Sequence, residues 1–292
     1  MIVPISVISS DSITALHNLL EKNCQTIKVS SYTVAPKPIF ATAWVNTSIF
    51  SFVKTLTPVK EIFTTQVMRR SEKHSLKDIV DGLQFVESSE FKIFGRYPKI
   101  SNDEQKNILS KIFYSPRHLL DYKNENGVPF YYRTSGGRYF KVITPYSTGS
   151  SKEKPFYVDK RFMKLIGATL STNLFYFYHQ VYMNMLDMKR NELEMFPLFD
   201  LEKLTAENIS AIENLYAEYL TDIEKNVTVR TSSKNSSYNV ATFKNYKLRN
   251  SKNLIDRLDD FIDKLYGLTD EEINFIKNFE LEFRMSGADN DN

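Results

Sequence analysis

The chain has 292 residues, 42% apolar and 13% aromatic, enough to bury one large core or two smaller ones, so a folded globular protein is expected. A single cysteine, Cys24, excludes an internal disulfide framework and any multi-cysteine metal site, which fits a reducing, cytoplasmic setting. The formal net charge of +3 says little about partners, but its distribution is uneven: residues 123–164 carry nine Lys/Arg against three Asp/Glu, residues 225–252 seven against none, and residues 251–292 five against eleven.

The opening MIVPISVISS is apolar, but it lacks a basic leader and falls far short of the ~20 residues that a membrane span requires. We read IVPISVI as a β-strand in a protein that does not enter a membrane. SSDSITALHNLLEK follows as a helix, with Ser10 or Asp11 as N-cap and Leu16, Leu19 and Leu20 at helical spacing. TIKVS and VNTSIFSFVK read as two further strands. About three strands cannot close a doubly wound sheet, so this segment reads as the second half of a sheet whose first half lies elsewhere.

The character changes from about residue 70. EKHSLKDIVDGL and SNDEQKNILSKIF read as amphipathic helices, the second capped by Ser101. PFYYRTSGGRYFKVIT reads as a hairpin around Gly136 and Gly137. Residues 160–196 carry apolar and aromatic side chains at helical spacing, and TAENISAIENLYAEYLTDIEK is an amphipathic helix. Two helices near 252–265 and 269–278 close the chain, with Gly267 suited to a C′ position and Thr269 capping ahead of Glu272. No internal repeat is present.

The hairpin carries the first candidate site. Arg133, Arg138 and Lys141 lie near a glycine turn that lets backbone approach a partner closely, while Tyr131, Tyr132, Tyr139 and Phe140 can pack or stack. Strand alternation puts Tyr131 and Arg133 on one face and Tyr132 on the other. Two readings stand: an ordinary hairpin with an aromatic core face, or a reader of an anionic polymer in which Arg and Lys meet guanine edges or phosphates. The second basic block, with Lys234, Lys244, Lys247 and Arg249, reads as a flexible loop, either merely solvated or contacting phosphate. No catalytic constellation appears: His17, His74, His118 and His179 lack metal-ligand spacing, Cys24 has no defined histidine partner, and there is neither a P-loop nor a G-x-G-x-x-G motif.

Several stretches taken in order, IVPISVISSDSITALHNLLEKN, SSYTVAPKPIF, FTTQVMRR, YPKI, YYRTSGGRYFKV, STNLFYFYHQVYMNM with EMFPL, and LIDRLDDFIDKLYGLTDEEINFIKNFELEFRM, are similar to the C-terminal part of large adenine-N6 DNA methyltransferases of type IIG restriction-modification and related phage-defence systems. The resemblance implies an α/β (mixed α+β) chain. Residues 1–70 would be the C-terminal portion of a Rossmann-like methyltransferase sheet, 71–200 a DNA target-recognition domain, and 201–292 a helical C-terminal part. It implies double-stranded DNA as partner, and the two basic blocks read above offer Arg133, Gly136, Gly137, Arg138, Tyr139, Lys141, Lys234, Lys244, Lys247 and Arg249 as the residues that would contact it. Phe40 would stack on the flipped base, or would simply plug the sheet edge. Ala35 stands where family members often carry Arg.

The family's cofactor loop and its Asn-Pro-Pro-Tyr/Phe tetrapeptide do not occur in this sequence. N6 methylation requires an extruded adenine held by those groups against the methyl of S-adenosylmethionine. The resemblance therefore implies a chain that is inactive alone and needs an N-terminal methyltransferase half, with S-adenosyl-L-methionine bound only in the complete enzyme. The alternative is a non-catalytic DNA-binding specificity or regulatory subunit, or a gene remnant.

Overall fold

The computed structural model describes residues 1–56, 61–135, 142–233 and 240–286. They fall into two compact units, Met1–Ser110 with Tyr178–Met185, and Lys111–Phe177 with Leu186–Asn292. The architecture is mixed α/β, with several small sheets.

The first unit runs β1 (Ile2–Pro4), α1 (Ser6–Ser9), α2 (Thr14–Asn23), β2 (Cys24–Tyr32), β3 (Thr47–Lys54), β4 (Glu61–Met68), α3 (Leu76–Asp81), β5 (Val86–Glu87) and then α4 (Asp103–Phe113), whose last residues enter the second unit. Its sheet has the order β1-β3-β2-β4-β5. Strand β3 is antiparallel to both β1 and β2, which therefore run parallel to each other with α2 between them in the chain, and β4 is parallel to β2. Ile5, Ile8, Cys24, Ile27, Val29, Phe50, Ile62 and Tyr97 form the core.

Several expectations change here. The apolar opening is a strand only as far as Pro4, after which Ile5 and Ile8, both buried, sit one helical turn apart, and the Ser9 hydroxyl donates to the Ile5 carbonyl at 3.0 Å. Packing of two side chains at i and i+3 overrides β-propensity. The sheet has five strands rather than about three, because EIFTTQVM forms β4 and Val86–Glu87 adds β5. On α2 the buried residue is His17, while Leu19 is exposed. The imidazole stacks on Tyr97 at 4.3 Å and its Nε2 lies 2.5 Å from the Val7 carbonyl, which can only accept, so the proton resides on Nε2. The cap of α4 is Asn102, whose Oδ1 accepts from the Gln105 amide at 2.9 Å, while the Ser101 amide donates to Gln105 Oε1 at 2.7 Å.

The second unit contains β6 (Arg117–His118), β7 (Lys123–Arg133), β8 (Ile143–Thr144), β9 (Glu153–Val158), α5 (Met163–Leu170), α6 (Asn173–Tyr182), α7 (Arg190–Glu194), β10 (Pro197–Leu198), α8 (Ala206–Lys225), β11 (Val227–Ser233), β12 (Val240–Tyr246), α9 (Lys252–Leu265), α10 (Asp270–Asn278) and α11 (Leu281–Met285). From Tyr178 onward α6 belongs to the first unit. A three-stranded antiparallel sheet β8-β7-β9 lies beside two antiparallel pairs in sequence, β6 with β10 and β11 with β12. Thr205 caps α8, and, as the sequence predicts, Thr269 and Glu272 form a capping box on α10 and Gly267 takes a φ of 78° after α9.

Acidic side chains of the last block turn inward. The Asn173 amide donates to Asp259 Oδ1 at 2.7 Å and its side-chain amide donates to Asp259 as well, while its Oδ1 accepts from Arg284. The Arg284 guanidinium lies 4.3 Å from the Tyr176 ring centre and donates to the Phe279 carbonyl at 3.3 Å. One turn on from Asp259, Asp263 is fully buried, and neither of its carboxyl oxygens has a hydrogen-bond partner among the described residues.

This asymmetry sets the protonation of the pair. Burial pushes Asp263 well above the ordinary carboxylate value, and neighbouring Asp259 pushes it further. Asp259 is also raised by burial, but the two donors of Asn173 favour its charged form, so Asp263 holds its proton the more firmly of the two. The folded state thus retains a proton that the unfolded chain releases above roughly pH 4, and stability is lost as pH rises from there. Asp263→Asn removes that loss, so in thermal melts the variant should gain on the wild type steadily from about pH 5 to about pH 8. Parallel curves would show that ionised Asp263 is compensated in the fold.

Candidate nucleic-acid interface

The basic blocks meet around β7, β9 and the β11–β12 pair, all in the second unit. Phe130 and Phe156 stack at 5.3 Å beneath the three-stranded sheet, and Tyr132 is buried while Tyr131 and Arg133 are half-buried. The predicted alternation therefore holds. Strands β7 and β8 are antiparallel, pairing Tyr131 with Thr144 and Tyr132 with Ile143, and the Arg133 amide donates to the Val142 carbonyl at 3.0 Å. Gly136, Gly137, Arg138, Tyr139 and Lys141, and Lys234 in the second block, lie outside the described residues.

The second block is not a loop. Val227–Ser233 and Val240–Tyr246 pair in continuous antiparallel register from Val227 opposite Tyr246 to Ser233 opposite Val240. Strand alternation gives the pair two faces. On one, Arg133 Nη1 donates to Asn245 Oδ1 at 3.2 Å, and Arg230 is close enough to act on Arg133 electrostatically. Burial lowers the Arg133 pKa, Arg230 lowers it further, and Glu153 opposes them. The Glu153 carboxylate, however, already accepts from the Ser147 hydroxyl at 2.6 Å and the Thr148 amide at 2.8 Å. Arg133 Nε is buried with no acceptor among the described residues. A guanidinium does not deprotonate, so this is a cation short of anionic partners.

The other face is neutralised. Lys244 Nζ donates to Glu224 Oε2 at 2.8 Å, and Tyr146 and Tyr246 both donate to Glu224 Oε1, the former at 2.7 Å. Partial burial would raise the Glu224 carboxyl, but these three donors hold it below its usual value. Burial and the same carboxylate push the Tyr146 phenol up to about 12. Lys247 and Arg249, half-buried at the start of the short turn after β12, are not brought onto the Arg133 face by any described contact. Phe40 belongs to the first unit and is 36% exposed. Sequence reasoning missed Arg230 and Asn245, whose place opposite Arg133 needs the strand register, and Glu224, which is masked as one more acid on an amphipathic helix.

Among the described residues no helix is long and apolar enough to cross a membrane, and no group of three or more His, Cys, Asp or Glu side chains is placed to hold a metal.

Two measurements follow from this geometry. Phosphate should raise the melting temperature of the wild type above its value in chloride, whereas Arg133→Gln, which keeps a donor for Asn245, should lose that response; equal responses would show that no anion is drawn to Arg133. Glu224→Ala should cost about 1–3 kcal/mol, because the buried phenol of Tyr246 and the half-buried phenol of Tyr146 lose their acceptor. Lys244→Met should cost under about 1 kcal/mol, as for an exposed ion pair. Denaturant unfolding of the two variants gives the comparison. No protein-family model matches the chain, and no curated protein matches it.

Proposed function

We propose that this chain is the DNA-binding target-recognition portion of an adenine-specific N6 DNA methyltransferase of a restriction-modification or phage-defence system, which needs an N-terminal half for methylation with S-adenosyl-L-methionine. The observation that carries the DNA-binding part is Arg133: a half-buried guanidinium beside Arg230, with its Nε unpartnered among the described residues, in a stretch of sequence that also contains Arg138 and Lys141. Phosphate oxygens or a guanine edge would supply the missing acceptors.

The first unit supports the Rossmann-like part of the reading. Parallel strands β1 and β2 joined through α2, with β4 parallel beyond them, are the elements such a sheet requires, although β3 runs antiparallel between β1 and β2. Strand β1 pairs only with β3 among the described residues, leaving its other edge open to further strands. No two prolines are adjacent anywhere in the sequence, so the tetrapeptide that would hold the target amino group is not among these residues.

Titration of labelled duplex at two salt concentrations tests this reading. Charge reversal at Lys141 should weaken binding to all sequences and flatten the salt slope by roughly one unit, as for a phosphate contact. Arg133→Ala or Arg138→Ala should cost about 1–3 kcal/mol on a site enriched from a random pool and little on unselected DNA. Variants that bind like the wild type at both salt concentrations would leave an ordinary hairpin. The purified chain alone should transfer no methyl group from S-adenosylmethionine to DNA, and methylation by the chain itself would overturn the division of labour.

A further inference from the structure

A cleft of about 310 Å³ lies within the second unit, between the turn Leu119–Tyr122, the residues that follow β9 and the turn Leu201–Lys203. Its volume is at the lower end of the roughly 300–1,000 Å³ that small-molecule sites occupy, and its lining is mostly polar. A ligand that fits it is therefore small and held by charge and hydrogen bonds.

The walls are fixed. Arg117 stands opposite Leu198 in the pairing of β6 with β10, and the Leu119 amide donates to the Phe196 carbonyl at 3.0 Å. The His118 amide donates to Asp121 Oδ2 at 2.9 Å. Tyr122 meets Phe162 edge-on at 5.1 Å, and the Leu201 amide donates to its phenol oxygen at 2.9 Å. Arg161 lies 4.8 Å from the Phe162 ring centre and is gripped by Asp159, whose Oδ2 accepts from Nη2 at 2.9 Å and from Nε at 3.2 Å.

Within these walls, charges of both signs stand unpaired. Arg161 is taken by Asp159, and Lys123 by Glu125 at 3.1 Å and Glu194 at 3.6 Å. Arg117, which is exposed, makes no ion pair and no side-chain hydrogen bond with any described residue. Likewise Asp121 keeps Oδ1 free, and the Glu202 carboxylate has no donor among the described residues. Tyr122 is only 7% exposed, and its phenol oxygen accepts from Leu201 while its O–H finds no acceptor among the described residues. Buried polar groups ordinarily have partners, so a free O–H on the wall of a polar cleft marks a place for an acceptor. Burial raises the pKa of this phenol, the Leu201 amide and Arg117 lower it, and Asp200 and Glu202 raise it, so the group lies in the field of an unpaired cation and of an unpaired acid.

An anion alone would satisfy Arg117 and the phenol but would be repelled by Asp121 and Glu202, and a cation alone would meet the reverse. A molecule with both charges meets both needs. We propose that the cleft binds a free α-amino acid, its carboxylate taken by Arg117 and the Tyr122 O–H and its ammonium by Glu202 and Asp121. The acids do not form a metal site, since no group of three or more ligating side chains is so placed among the described residues. The proposal is independent of the DNA-binding reading.

The test begins with melts of the full chain in each standard L-α-amino acid. The one that raises the melting temperature most is titrated by calorimetry beside its deaminated analogue, its decarboxylated analogue and inorganic phosphate. One molecule should bind per chain, and the analogues and phosphate should bind at least about tenfold more weakly, because each leaves one set of charges unmet. Arg117→Gln and Glu202→Gln should each weaken the amino acid by about 10- to 150-fold, the loss of a charge-assisted hydrogen bond. Their ligand-free melting temperatures should match the wild type, since both side chains are exposed. If no amino acid binds, or if either variant binds it as the wild type does, the site falls. If phosphate or the deaminated analogue binds as tightly, the cleft is a plain anion site and the amino-acid assignment falls.

Discussion

The helical part of the second unit depends on one buried amide, Asn173. At the first residue of α6 it donates to Asp259 of α9 and accepts from Arg284 of α11, so that three helices share a single polar junction. None of the three groups is tolerable alone: a buried carboxylate and a buried guanidinium each require partners, and the amide supplies one to both without adding charge. The strongly acidic composition of residues 251–292 consequently does not describe a solvated tail, since Asp259, Asp263 and Glu272 are all buried. Glu272 caps α10 and pairs with Lys111 at 2.6 Å, so that it too serves an internal joint.

The same logic, applied to the basic block, divides its cations by strand face. Lys244 meets Glu224 and contributes to architecture, while Arg133, one sheet away, meets another cation and an amide. A count of lysines and arginines treats the two alike. Register separates them, because residues 243 and 245 face the opposite way from 244 and 246.

Those elements whose signals are local were legible in the sequence. Helices α8, α9 and α10 repeat apolar residues at helical spacing between Thr205, Gly267 and Thr269, and each boundary has its own chemistry in the adjacent three residues. Strands β11 and β12 were hidden because serine, asparagine and lysine dominate the segment, although Val227, Thr228, Val229 and Thr231 are strand formers. Strand β4 was hidden differently: buried residues fall on both of its faces, which erases the alternation that marks a half-exposed strand. In the candidate site, the alternation of Tyr131, Tyr132 and Arg133 could be read directly. The identity of what opposes Arg133 could not, since Asn245 lies 112 residues away and arrives through tertiary pairing.

Residues 178–185 have a consequence for the order in which the chain can be completed during synthesis. They belong with Met1–Ser110, to which they contribute the carbonyl of Val181 for the Lys99 amide, that of Met183 for the Lys99 ammonium and that of Asn184 for Asn46. Lys99 is buried, and without Met183 its charge would have no such acceptor. The first unit therefore cannot be completed from residues 1–110 alone; it waits until residues 111–177, which belong to the second unit, have been translated and 178–185 follow them. Folding of this chain is thus not strictly vectorial, and a nascent chain stalled before residue 178 has every strand of the first sheet but lacks the carbonyls that receive Lys99 and Asn46.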